Sequence, residues 1–192
     1  MPRVETAFLD RDGVVNSSPP DGDYIRTWEQ FRFLPRAIDA LRLLTAAGVR
    51  VIVATNQRGV ARGLMSEDEL LGIHARMLEA LEREGAGIDA IYYCPHEKGE
   101  CSCRKPDVGL FLRARKDFPE IDFAKSAMVG DSLSDMEAGQ RLGCRNILVP
   151  NPHREIDETV REAAARGLRI HEVAGSLFDA VSRLILDDAQ ER

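Results

Sequence analysis

Short apolar runs recur at residues 6–9, 49–54, 90–93, 127–129 and 146–149, and the segments between them carry apolar residues at helical spacing. The runs lack polar alternation, so each predicts a strand covered on both faces. The clearest helix opens at Ser66. Ser66 and Glu69 form a Ser-x-x-Glu capping box, and Leu70, Ile73, His74, Met77 and Leu81 follow at intervals of three and four. Ile38, Leu41 and Leu44 predict another helix closed by Gly48, Met136 and Leu142 mark one more, and residues 176–186 form a terminal one. This βαβ rhythm predicts an α/β fold: a doubly wound, mostly parallel, Rossmann-like sheet with helices on both faces. No repeat or linker divides the chain, so residues 1–186 are expected to be one domain and 187–192 a frayed polar tail.

Composition narrows the classes. With 192 residues, 44% of them hydrophobic, the chain can bury one good core. A net charge of −6 and no basic block argue against a nucleic-acid partner. There is no leader pattern and no membrane-length apolar stretch, so a cytoplasmic protein with no membrane partner is expected, as a monomer. Three of the four cysteines fall between positions 94 and 103, which suggests a metal site rather than a disulfide framework. Cys144, beside an apolar run, reads as a small buried residue.

In parallel α/β sheets, ligand groups collect where strands end. The first predicted strand runs into Asp10-Arg11-Asp12-Gly13-Val14, which places two carboxylates on one side of the backbone. Crowded carboxylates repel unless a cation or proton intervenes. The second strand ends in Thr55-Asn56-Gln57, a hydroxyl and two amides suited to phosphate oxygens. The fourth ends in Gly130-Asp131-Ser132-Leu133-Ser134-Asp135, and Arg104-Lys105-Pro106 supplies two cations just before a helix. Each has an ordinary explanation: Thr55 or Asn56 can cap a turn, Ser134 and Asp135 can open a helix, Lys105 can be a solvated charge. Chance does not readily deliver all of them to successive strand ends.

Cys94-Pro95-His96, a four-residue gap and Cys101-Ser102-Cys103 give three thiolates and one imidazole in ten residues. Cys94, His96, Cys101 and Cys103 can fill a closed tetrahedral Zn²⁺ shell, hence a structural site. Arg104 and Lys105 follow at once, so the zinc loop is expected to fix these cations without touching substrate.

The set D-x-D-G-V, T-N-Q, K-P and G-D-S-x-x-D resembles the haloacid dehalogenase superfamily of phosphatases over the first 150 residues or so. A phosphorylated receiver domain uses similar groups, but its lysine comes last, whereas Lys105 precedes Asp131. The resemblance implies a Mg²⁺-dependent phosphomonoesterase in which Asp10 is the nucleophile and forms an aspartyl-phosphate. Asp12 would be the general acid and base. Mg²⁺ would be held by Asp10, Asp131 and the main-chain carbonyl of Asp12, with Thr55 and Lys105 on the transferring oxygens. Asp135 would orient Lys105 or a metal-bound water.

Within the superfamily, the zinc loop running into C-R-K-P is similar to two capless groups, the heptose 1,7-bisphosphate phosphatases and the histidinol-phosphate phosphatases. Residues 16–34 and 57–65 are too short to hold an inserted cap domain. Thr55 through Gly63, Ile91 through His96, and Gly22-Asp23-Tyr24-Ile25 look like the heptose group. Its C7-phosphate chemistry on a sugar bisphosphate is therefore expected, with histidinol phosphate as the alternative substrate and a non-catalytic zinc-stapled module as the alternative class. Arg58, Arg62 and Arg104 can supply the positive field for a second phosphate. Two positions depart from the heptose pattern: the gap between His96 and Cys101 is shorter than usual, and Ser132 stands where some heptose enzymes carry lysine. His74, His153 and His171 are assigned no function. Trp28 reads as packing, with sugar stacking as its alternative.

Overall fold

The computed structural model describes residues 3–20 and 23–190. Gly22, from the loop likened to the heptose group, lies outside them. Six strands form one parallel sheet: β1 (Thr6–Leu9), β2 (Arg50–Asn56), β3 (Ala90–Cys94), β4 (Ser126–Gly130), β5 (Arg145–Leu148) and β6 (Glu172–Val173). Their spatial order is β3-β2-β1-β4-β5-β6. The direction of winding therefore reverses at β1, which makes the carboxyl ends of β1, β2 and β4 the place where a ligand crevice opens.

Strand alternation sorts the core into two halves. Ala7, Leu9, Val51, Val53, Ala127 and Val129 face one way, against α1 (Ala37–Ala46), α2 (Glu67–Arg83) and α6 (Leu177–Gln190). Phe8, Ile52, Ala54 and Met128 face the other, against α3 (Gly109–Asp117) and α4 (Leu133–Leu142). Both faces are dry, which is why the strands show no polar alternation. Ser66 caps α2 as expected: its hydroxyl accepts from the Glu69 N–H at 3.1 Å, and the Glu69 carboxylate accepts from the Ser66 N–H at 2.7 Å. Trp28 stacks on Phe31, with ring centroids 5.0 Å apart, and packs against the first core half. Cys144 is buried.

Two elements escaped the pattern. Strand β6 has two residues, too few for a periodic signal, and α5 (Ile156–Ala165) buries only Thr159 and Ala163. Helix α6 runs on to Gln190, into the stretch expected to fray. Among the described residues no helix is long and apolar enough to cross a membrane.

Candidate active site

Asp10 leaves the end of β1 with its N–H bonded to the Val129 carbonyl at 3.0 Å, so β1 and β4 deliver their terminal carboxylates together. The next turn must hug Asp131. Gly13 adopts φ +87°, and a Cβ there would lie 2.0 Å from Asp131 Oδ2. Gly130 plays the same part for Asp135, whose side chain a Cβ would meet at 2.2 Å. Carboxylate oxygens of Asp10, Asp131 and Asp135 all lie within 4.8 Å of one another.

Lys105 enters this nest from the loop before α3. Its buried ammonium lies 3.0 Å from Asp10 Oδ1 and 2.5 Å from Asp135 Oδ1. Asp135 Oδ2 accepts from the Ser132 hydroxyl at 2.6 Å and the Ser132 N–H at 3.2 Å, so one carboxylate both starts α4 and fixes the lysine. Asn151, following β5, donates to Asp131 Oδ2 at 2.8 Å.

The charges are out of balance, and acidity shifts accordingly. Burial raises the Asp10 pKa to about 6, against the pull of Lys105 and with help from Asp135 and Asp12. Burial likewise raises Asp131 to about 8, reinforced by Asp10 and Asp135. For Lys105, burial opposes the charge, but Asp10 and Asp135 outweigh it and raise its pKa. Hard oxygen donors carrying surplus negative charge fit a small divalent cation such as Mg²⁺.

Asp12 points elsewhere. Its Oδ1 accepts from Asn16 Nδ2 at 2.8 Å and its Oδ2 from Gln57 Nε2 at 2.9 Å, while Arg11 forks onto both oxygens at 3.0 Å. Burial pushes its pKa up, but the Arg11 charge and these bonds hold it below the ordinary carboxylate value. The acid next to the nucleophile therefore stays out of the Asp10–Asp131–Asp135 nest.

The T-N-Q segment divides its duties. Thr55 is buried, and its hydroxyl accepts from Gln57 Nε2 at 2.9 Å. Asn56 and Gln57 do not offer free amides to phosphate, contrary to expectation. Asn56 brackets the Lys105 main chain, accepting from its N–H at 3.0 Å and donating to its carbonyl at 3.1 Å. Gln57 joins Asp12, Thr55 and Arg11. Arg58 is also committed, to Tyr24 Oη and Glu97 Oε1, both at 3.0 Å. Arg104 behaves differently: its Nη1 is buried without a hydrogen-bond partner, and the residue lines a cavity of about 550 Å³ with Asn56, Lys98, Lys105, Ser134 and Arg166.

The cysteine loop converges as its spacing implied. Cys94 Sγ is 3.4 Å from Cys101 Sγ and 3.7 Å from His96 Nδ1, and Cys103 Sγ is 3.2 Å from Cys101 Sγ and 3.3 Å from His96 Nδ1. All four cysteines of the chain are free thiols. These separations exceed a disulfide bond and approach the roughly 3.8 Å between sulfurs around a tetrahedral Zn²⁺. The four residues can hold a metal ion. The loop also presses on the helix that follows Lys105, since a Cβ on Gly109 would lie 2.5 Å from the Ser102 carbonyl.

Sequence reasoning missed Arg11, His74, Asn16 and Asn151. Asn151 lies just past the end of β5, between Pro150 and Pro152, and that strand-end position is the signal for it. For Arg11 it was alternation, which turns a charge lying between two aspartates into the protein.

A parallel α/β sheet with a lysine among its strand-end carboxylates is the framework of a HAD-like hydrolase, and a HAD-hydrolase-like family model matches residues 102–179. The chain is 42% identical over 150 residues to a D-glycero-beta-D-manno-heptose-1,7-bisphosphate 7-phosphatase of Rhodopseudomonas palustris, covering 74% of this chain and 81% of that one. It is 45% identical over 136 residues to a D-glycero-alpha-D-manno-heptose-1,7-bisphosphate 7-phosphatase of Mycobacterium bovis, covering 70% and 71%. A crystal structure of D,D-heptose 1,7-bisphosphate phosphatase from B. bronchiseptica, complexed with magnesium and phosphate, superposes with a TM-score of 0.85 at 33% identity over 96% of this chain and 99% of that one. The chain belongs to the family of heptose 1,7-bisphosphate 7-phosphatases and is a phosphatase.

Proposed function

We propose that the chain removes the C7 phosphate of D-glycero-D-manno-heptose 1,7-bisphosphate by two displacements at Asp10. In the first, Asp10 attacks phosphorus while Asp12 hands a proton to the departing alkoxide. In the second, Asp12 takes a proton from water as that water attacks the aspartyl-phosphate, which frees phosphate and restores Asp10. Thr55 and Lys105 hold the transferring oxygens. Asp10, Asp131 and the Asp12 carbonyl are the ligands for Mg²⁺, which when bound offsets repulsion between an anionic nucleophile and an anionic phosphate. Cys94, His96, Cys101 and Cys103 hold Zn²⁺ as a structural clip, and Arg104, with its unpartnered Nη1, receives the remote phosphate. The protein acts as a cytoplasmic monomer on this small metabolite.

The observation that carries the reading is the Lys105 ammonium wedged between Asp10 and Asp135, with Asp131 in the same nest. Relatives carrying both the alpha and the beta anomer in their names support the heptose substrate over histidinol phosphate, despite the short zinc loop. The test is kcat/KM with Mg²⁺ for both heptose bisphosphate anomers and for histidinol phosphate. A higher value for histidinol phosphate overturns the substrate, and absence of phosphate release from any ester overturns the chemistry.

A further inference from the structure

Arg11 is the largest fully buried side chain among the described residues, and it takes no part in the two displacements at Asp10. Its Nη2 donates to Asp12 Oδ1 and Oδ2, both at 3.0 Å, and to Gln57 Oε1 at 3.2 Å, while Nε donates to Asp12 Oδ1 at 3.2 Å. Its Nη1 lies 3.1 Å from His74 Nε2. A guanidinium has donors only, so Nε2 is the acceptor and the imidazole is the neutral tautomer with its proton on Nδ1. His74 is 4% exposed, on the stripe of α2 that also carries Leu70, Ile73 and Met77. Among the described residues the hydrogen-bond partner of this ring is Arg11, while the Tyr93 ring lies tilted beside it, centroids 5.7 Å apart.

We propose that His74, acting through Arg11, is a positioning residue for Asp12. The inference rests on the reading of Asp12 as proton donor. As the bond from phosphorus to the leaving oxygen breaks, the proton that Asp12 carries into this step passes to that oxygen, and Asp12 returns to the carboxylate that Arg11, Asn16 and Gln57 hold in this structure. Arg11 meets the charge left behind. A planar fork does this only in one orientation, and His74 sets that orientation by occupying Nη1. Without an acceptor at position 74, Nη1 is buried and unpaired, the guanidinium turns to find a partner, and Asp12 and Gln57 turn with it.

The test varies how much the leaving group needs a proton. Nitrophenolate departs as a stabilised anion, whereas phenol, with a tyrosine-like pKa of about 10, and an alkyl alcohol depend on the donor. The measure is kcat/KM, which reports the step in which the ester oxygen leaves. His74→Met is expected to lower it about 10- to 100-fold on phenyl phosphate and on the heptose bisphosphate, but less than about threefold on p-nitrophenyl phosphate. His74→Gln, which keeps an acceptor, restores most of the loss. Arg11→Lys, which keeps the charge but not the fork, shows the same ranking of esters, and it decides the matter if His74→Met does not fold. Equal losses on both aryl esters, or no loss on either, overturn the proposal. If wild-type protein hydrolyses the aryl esters but not the heptose bisphosphate, the substrate reading fails while the aryl comparison still judges His74.

Discussion

The strand-end nest and the cysteine clip are both clusters of metal-binding side chains, yet they are built in opposite ways. The nest gathers Asp10, Lys105, Asp131 and Asp135 from three separate segments, and the sheet must fold before they meet. The clip draws all four of its ligands from ten consecutive residues. Their acidities differ in kind as well. In the nest, burial and mutual repulsion raise both Asp10 and Asp131. In the clip, burial raises Cys94 and Cys103, while at Cys101 burial is outweighed by hydrogen bonds from Cys103 and the Arg104 backbone, leaving that thiol at about 7. The nest is a site held under electrostatic stress by its fold, whereas the clip is a local staple that one ion completes.

The largest test of that contrast is Asp10→Asn. Phosphate release is expected to fall at least about 10³-fold, because an amide oxygen cannot serve as the nucleophile. The same change removes one of the crowded charges, so the metal-free variant is expected to melt higher than the wild type at pH 8. A variant that loses activity and also melts lower contradicts the idea of a stressed nest.

Cys101→Ser should do the reverse. Elemental analysis is expected to find one zinc per wild-type chain and none in the variant, with a fall in Tm on the order of 10 °C from the loss of a structural ion. Well below that temperature, turnover of p-nitrophenyl phosphate should drop only about three- to tenfold, through looser placement of Arg104 and Lys105. If the loss equals that of Asp10→Asn, the clip is part of the chemistry and the contrast breaks.

The contrast also explains what was legible in the sequence. Local spacing names a local site completely, so Cys94, His96, Cys101 and Cys103 all converge. Burial on both faces likewise made the five longer strands visible as apolar runs, while β6 and α5 bury too little to leave a pattern. For the nest, the strand-end rule found the charges. It could not find the groups behind them, because Asn151 reaches Asp131, and His74 reaches Arg11 beside Asp12, only through tertiary contacts. Asn56 and Gln57 bond protein groups here, a duty the sequence did not show, since an amide beside a phosphate site looks the same from sequence whether it meets substrate or protein.

A subtler test separates the nest by pH. Asp10 and Asp131 have folded pKa values of about 6 and 8, above the ordinary 3.8, so their contribution to stability is fully present below pH 4 and is lost as pH rises through 6 and 8. Metal-free protein should therefore lose Tm from this pair across pH 4.5 to 8.5 by about a few degrees. Mg²⁺ replaces the protons there, so the Tm it adds should grow over the same window. A Mg²⁺ effect that shrinks as pH rises removes the nest as its binding place.

The smallest effect belongs to Glu97, which connects the two regions. It sits beside His96 in the clip and pairs with Arg58 at 3.0 Å and Arg62 at 3.3 Å, both on the loop that follows Thr55. All three side chains are about a third exposed or more than a quarter so, where ion pairs add little stability and salt screens them. Glu97→Gln should therefore leave Tm within about 2 °C of wild type. Its consequence lies in charge: with the carboxylate gone, Arg58 and Arg62 keep their positive field but lose the partner that competes with an anion for it. KM for a sugar bisphosphate should fall about two- to threefold, with no change for p-nitrophenyl phosphate, and the gain should vanish at high salt. A rise in KM instead means that Glu97 serves substrate binding by holding the loop, and the clip then reaches further into the active site than its separate construction implies.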